Sequence, residues 1–304
     1  MTSKPLLSDR GPTYNSTAPP QAAFSAAANS VPAARNGASG NGGAVDLLPT
    51  HMGRKSGWLA TQLRGSVDPN KCDLIGVYGC LLTGFTSAVS FTACYVWPGF
   101  QTGNVAQLAI AMARNFDPPA TRTRGFQKGD QQALTALATF WLGTSLGRIG
   151  ARVGNTRRAW LVTSSILQML MAAIAALLAH YSGESPYAAD RAHPSWASPM
   201  GMGALAFLSA SLGLQGIVGK RIGSAMNTTV VLTTTWVEIF NDPNLFKLRA
   251  VPSRDMRIAG VLAVLVGAFS ARALLGVIGQ GGTVGVLCAL RVLQGMWWVV
   301  VPSP

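Results

Sequence analysis

One carboxylate, Glu238, falls inside an apolar segment of this chain. An ionisable group at membrane depth is costly to hold, so it is first read as functional: it could exchange a coupling proton or stand as a counter-charge. Its segment ends two residues later, at Phe240, so a place among lipid headgroups fits equally. Two clusters of small polar residues join it. Gln101, Thr102, Gly103 and Asn104 open one short apolar stretch, at about 102–113. Asn227, Thr228 and Thr229 open another, at about 226–240, which runs on through Thr233. The start of a helix has unpaired N–H groups and a partial positive charge, and Gly103 permits an unwound backbone. That combination suits an anionic or carbonyl-bearing ligand. Ordinary N-capping by Thr102 or Asn104, with close packing at Gly103, accounts for the same residues without a ligand.

The elements that must position these groups are apolar helices. Full-length apolar segments run at about 73–97, 133–153, 159–180, 201–219, 257–279 and 283–301. About 20 residues of helix cross a bilayer core, and in lipid the backbone must pair within itself. The expected fold is therefore all-α: a polytopic transmembrane bundle of six to eight membrane segments in residues 71–301. The stretches at 102–113 and 226–240 are short, and each stops at an Asp-Pro pair (Asp117-Pro118, Asp242-Pro243), where the residue before proline resists the α conformation. If both cross, there are eight helices in parallel halves; if both fold back, there are six in inverted halves. Basic residues near the segment ends do not separate the two.

Composition agrees with a membrane class. Apolar residues are 49% and charged residues 12% of the chain, against about 25% charged in soluble domains. The +13 charge is spread between apolar segments rather than gathered on one face, which argues for membrane topology and against nucleic acid. The four cysteines, Cys72, Cys80, Cys94 and Cys288, have neither disulfide-framework nor zinc spacing, and the three histidines lie outside the apolar runs or, for His180, at the very end of one. No metal, cofactor or nucleophile set is expected, and so no enzyme. Residues 1–70, rich in Ala, Pro, Ser, Gly and Asn, read as a disordered polar tail on the cytoplasmic side. Gly143-x-x-x-Gly147 and Gly150-x-x-x-Gly154 read as helix-packing faces. Gly201-Met202-Gly203-Ala204-Leu205-Ala206 imitates a dinucleotide fingerprint without the surrounding βαβ unit. Trp97, Trp160, Trp297 and Trp298 sit at segment ends, as interfacial anchors do. Arg148 near a helix end is read as snorkelling. Arg291, near the middle of 283–301, is expected to face the bundle interior, where a pair with Glu238 is one arrangement.

The chain also repeats itself. Arg148 falls on Arg272 at an offset of 124, Gln168 falls on Gln294 at an offset of 126, and Asn115-Phe116-Asp117-Pro118 answers Asn241-Asp242-Pro243. Two related halves, about 72–180 and 201–301, with short interrupted segments at matching places, point to a transporter site between them. Gly84-Phe85-Thr86-Ser87-Ala88-Val89-Ser90-Phe91, then Gln101-Thr102-Gly103-Asn104, resembles the YoaK-like family of multi-pass membrane proteins, a domain of unknown function in bacteria and fungi. Gly213-Leu214-Gln215 and Trp236-Val237-Glu238 resemble its second half. The resemblance covers about 72–301 and implies an integral membrane protein of unassigned activity. Where the family often carries an acid in its first helix this chain has Ser87, so no proton-linked role is carried over there. The expected function is a transporter of a small solute or ion in a plasma or organelle membrane. A non-transporting scaffold or assembly protein is the alternative, and the partners are the bilayer and a small solute.

Overall fold

The computed structural model describes residues 57–120, 122, 123 and 125–304. These form helices without strands: α1 (Trp58–Arg64), α2 (Asp73–Cys94), α3 (Gln101–Ala113), α4 (Lys128–Ser145), α5 (Gly147–Val153), α6 (Arg158–Tyr181), α7 (Pro199–Ile222), α8 (Thr233–Phe240) and α9 (Pro252–Val300). Four of them, α2, α6, α7 and α9, are long and apolar enough to cross a membrane. With 49 residues, α9 would reach about 74 Å if straight, more than twice the roughly 30 Å hydrocarbon core. It breaks at Gly279, whose φ of 67° is left-handed. Nothing lies within 4 Å of where a Cβ would stand there, so conformation rather than crowding asks for glycine.

Hydrogen bonds define two ends of the bundle. At one, the N–H groups of Ala188 and Ser195 donate to the carbonyls of Thr92 and Ala93. There Gln132 Nε2 donates to Ser195 O and Trp196 O at 2.7 and 2.9 Å. At the other end, Met226 N–H donates to Asp73 Oδ1, Arg221 to Gly147 O and Arg158 to Val301 O. Two close crossings hold the middle. A Cβ on Gly84 would strike the Val264 carbonyl and one on Gly267 the Leu81 carbonyl, joining α2 to the first arm of α9. A Cβ on Gly143 would strike the Ala210 carbonyl and one on Gly213 the Phe140 carbonyl, joining α4 to α7. Small residues let these backbones approach. The second arm of α9 runs back along α6, with Gly281 beside His180 and Gly295 beside Ser165.

Several expectations need correction. Residues 1–56 of the expected tail lie outside the described residues, but 57–70 are ordered. Within them Trp58–Arg64 is helical, and Val67 is buried against Trp160 and Val301. The stretch 133–153 is two helices, because Leu146 interrupts it and α4 starts earlier through a capping box between Gln127 and Asp130. In 226–240 only Thr233–Phe240 is helical. Trp160 and Trp298 are buried packing residues rather than interfacial anchors, and Trp97 stacks on Phe91 with ring centroids 4.0 Å apart. Of the expected glycine faces, Gly143 packs on α7, Gly147 on Ile217 and Gly150 on Trp160, but Gly143 and Gly147 belong to different helices and Gly154, with φ 119°, caps α5 instead of packing a helix against it.

Candidate functional site

Two segments fold back into the bundle. After α2 the chain turns at Tyr95, a left-handed residue with φ 56°, and dips to Gly99 before α3 leads it outward again. A Cβ on Gly99 would stand 3.0 Å from both Leu212 Cδ1 and Val230 Cγ1. After α7, residues 224–232 run inward unwound, and α8 leads them back. The tips therefore meet at Gly99 and Val230, against the middle of α7.

Hydrogen bonds fix the second tip. Thr83 Oγ1, halfway along α2, donates to Thr229 O at 2.7 Å and accepts from Gln215 Nε2 at 2.8 Å. Gln215 Nε2 also donates to Gly79 O at 2.8 Å. Beside this anchor lies a small cavity of about 20 Å³, lined by Gly79, Gln168, Gln215, Thr229, Gln294 and Trp298 among others. That volume admits roughly one water molecule. Gln168 Oε1, Gln215 Oε1 and Thr229 Oγ1 are buried there without a hydrogen-bond partner in the structure. Unpaired acceptors in a core are costly, so a group able to donate belongs among them. Thr229 also lines a crevice of about 360 Å³ with Thr144, Lys220, Asn227, Thr228 and Thr234. On the far side of the same tip, Ser87, Phe91, Trp97, Thr233, Trp236 and Arg272 line a largely apolar cleft of about 760 Å³.

The residues expected to bind solute divide between these places. Asn227, Thr228 and Thr229 line the crevice, Thr229 reaches the inner cavity, and Thr233 faces the apolar cleft. Asn104 is buried and closes the first tip: its Nδ2 donates to Trp97 O at 2.8 Å and Gln101 Oε1 at 2.9 Å. Gln101 in turn donates to Pro98 O. Gln101 and Asn104 thus hold the loop that precedes α3; Asn104 does not act as the expected N-cap, and Thr102 and Gly103 are exposed. Glu238 is exposed near the outer end of α8, away from the tips, and contacts Arg257 at 3.0 Å. It does not pair with Arg291, which is fully buried and bonds Gln294. Arg272 is exposed, with its guanidinium 4.5 Å from the centre of the Tyr187 ring.

Sequence reasoning missed Gln168, Gln215, Gln294 and Thr83 as site residues. Their signal was available: an amide inside an apolar span carries its own cost, and Gln168 and Gln294 match at an offset of 126. The four cysteines are free, three of them buried. At Cys72, just ahead of α2, burial pushes the thiol up to about 11, assisted by Asp68 and Asp73, so it is a poor nucleophile.

Apolar helices of spanning length, packed through glycine and folded around buried amides, define a polytopic α-helical membrane protein. Residues 75–297 match the family described as "Protein of unknown function (DUF1275)", and the chain belongs to that family. No curated protein and no solved structure matches it.

Proposed function

We propose that this chain is a transporter of a small solute or ion, built from two inverted halves of three spans and one re-entrant half-helix each. The meeting of the two tips beside a buried polar cavity carries the reading. Broken segments at matching places, converging at mid-depth, are how many secondary transporters build a site. Matched packing supports the repeat: α2 crosses the first arm of α9 through Gly84 and Gly267, and α4 crosses α7 through Gly213 and Gly143, one helix of each half in each pair. The site is assigned to Thr229, Gln215, Gln168 and Gln294, entered through the crevice at Asn227 and Thr228. No enzymatic activity is proposed.

Charge supports an orientation. Arg148, Arg152, Arg157, Lys220, Arg221 and Arg254 gather at the end that also holds both described termini. The opposite end carries fewer, among them Arg114, Arg122, Lys128 and Arg191. The positive-inside rule then puts the first end, and the N-terminal tail, in the cytoplasm.

Purified protein in liposomes, tested against organic anions, amino acids and protons, should move at least one of them, and Thr229→Val should reduce that flux. A cysteine at 228 should react with an impermeant thiol reagent from the cytoplasmic side. Absence of flux together with an unlabelled position 228 would leave the scaffold reading, which the small size of the inner cavity favours.

A further inference from the structure

Arg291 is the largest unexplained polar group in the bundle. Its side chain is wholly buried, near the middle of the second arm of α9. Nη1 donates to Gln294 Oε1 at 3.0 Å, while Nε and Nη2 have no hydrogen-bond partner. The ion pairs among the described residues join Arg114 to Asp130, His193 to Asp190, Arg254 to Asp255 and Arg257 to Glu238, and none includes Arg291. Its neighbours are committed elsewhere: the Tyr78 hydroxyl donates to Leu290 O and the Cys288 thiol to Val284 O. Gln168 Oε1 is unpartnered too, so it does not serve as the missing acceptor. A buried guanidinium with no counter-charge is an expensive arrangement that a bound anion would relieve.

The two orphan nitrogens have a shape in common. Nε and Nη2 form one edge of the guanidinium plane, and this edge takes two oxygens of a carboxylate side by side. Gln294 holds the opposite edge through Nη1, leaving the free edge fixed in place. Gln294 also lines the inner cavity, one helical turn from Arg291, and the close packing around the guanidinium restricts any ligand there to the smallest oxyanions. We propose that Arg291 is the charge-bearing residue of a binding site for a small monovalent oxyanion, with formate and nitrate as the fitting chemistry and Gln294 as the positioning residue. The inference rests on the transport reading only in calling this anion a substrate; binding stands without it.

The test uses the full chain in lipid nanodiscs. Its thermal transition is followed while sodium formate, nitrate or chloride replaces sodium gluconate at constant ionic strength. Formate and nitrate should raise the transition saturably in the wild type and in Arg272→Gln, and leave it unmoved in Arg291→Gln. Arg291→Lys keeps the charge but loses the fork, and should bind about tenfold more weakly. Should Arg291→Gln fail to fold, the lysine variant decides together with line broadening of carbon-13 formate. No saturable response in the wild type, an adventitious ion effect only, or equal responses in wild type and both Arg291 variants would overturn the proposal. Formate binding without flux would remove the transport reading and leave this one, whereas flux of another solute with no saturable anion response would do the reverse.

Discussion

Replacing Thr83 by valine keeps the shape of the side chain and removes one hydroxyl from the point where the second tip is tied down. That hydroxyl donates to Thr229 O at 2.7 Å and accepts from Gln215 Nε2 at 2.8 Å. Gln215 keeps its bond to Gly79 O, so its loss is the smaller one, about 0.5–1.5 kcal/mol. The Thr229 carbonyl is left buried without a donor, which costs about 1–3 kcal/mol. Together these come to about 2–4 kcal/mol. At about 2–4 °C per kcal/mol for a domain of this size, the melting transition should fall by on the order of 10 °C. Hydrogen exchange should locate the change: amides of 228–232 should lose protection before those of α7. Thr234→Val is the control, because Thr234 is exposed and its one bond, to Val231 O, is long at 3.5 Å. If Thr83→Val melts with the wild type and residues 228–232 exchange no faster, the tip is held by packing alone and the hydrogen-bonded anchor is wrong.

Gly84→Val and Gly143→Val should each cost about 1–3 kcal/mol or more by overpacking against a neighbouring carbonyl, measured as lost monodisperse protein in detergent, whereas Gly57→Val should be silent. Trp196→Phe removes the 2.7 Å bond from the indole N–H to Gln280 Oε1 and should destabilise by about 1–3 kcal/mol in chemical unfolding. Arg158→Met should free the C-terminal residues from Arg158, seen as faster proteolysis after 300, because its guanidinium donates to both Val301 O and Ser303 Oγ. Asp190 is held below its ordinary carboxylate value by N–H donation from His193, the His193 ring and the N–H of Ala192. A depressed carboxylate stabilises its turn above the ordinary value and loses that as pH falls through the folded one. The turn at 190–193 should therefore persist at pH 5 and loosen only below about pH 3.8, as carbon-13 shifts of the Asp190 carboxyl would report.

Long apolar runs made α2, α6, α7 and α9 readable, because lipid permits little but helix for them. The break in α9 was readable as two segments on length, although its glycine hinge was not singled out. Where polar residues begin or interrupt a run, reading was poorer: α4 starts at Lys128, stabilised by a cap rather than by apolarity, and α8 shrinks to Thr233–Phe240 because tertiary bonds hold 226–232 unwound. At the site, spacing singled out both folded-back segments but favoured their polar openings. Asn104 turned out to hold its own loop together, while the unsatisfied groups lie on Gln168, Gln215, Thr229 and Arg291. Only Thr229 belongs to both sets. The difference lies in partners, which are distant in the chain: Thr83 meets Thr229 across 146 residues.

The hinge at Gly279 leaves no loop between the two arms of α9. In a bilayer, that connection has nothing to offer a protease or a modifying enzyme. It also ties the fates of the arms together during biosynthesis. Only Gly279 separates residues 252–278 from 280–300, so the two arms have little freedom to settle apart from one another.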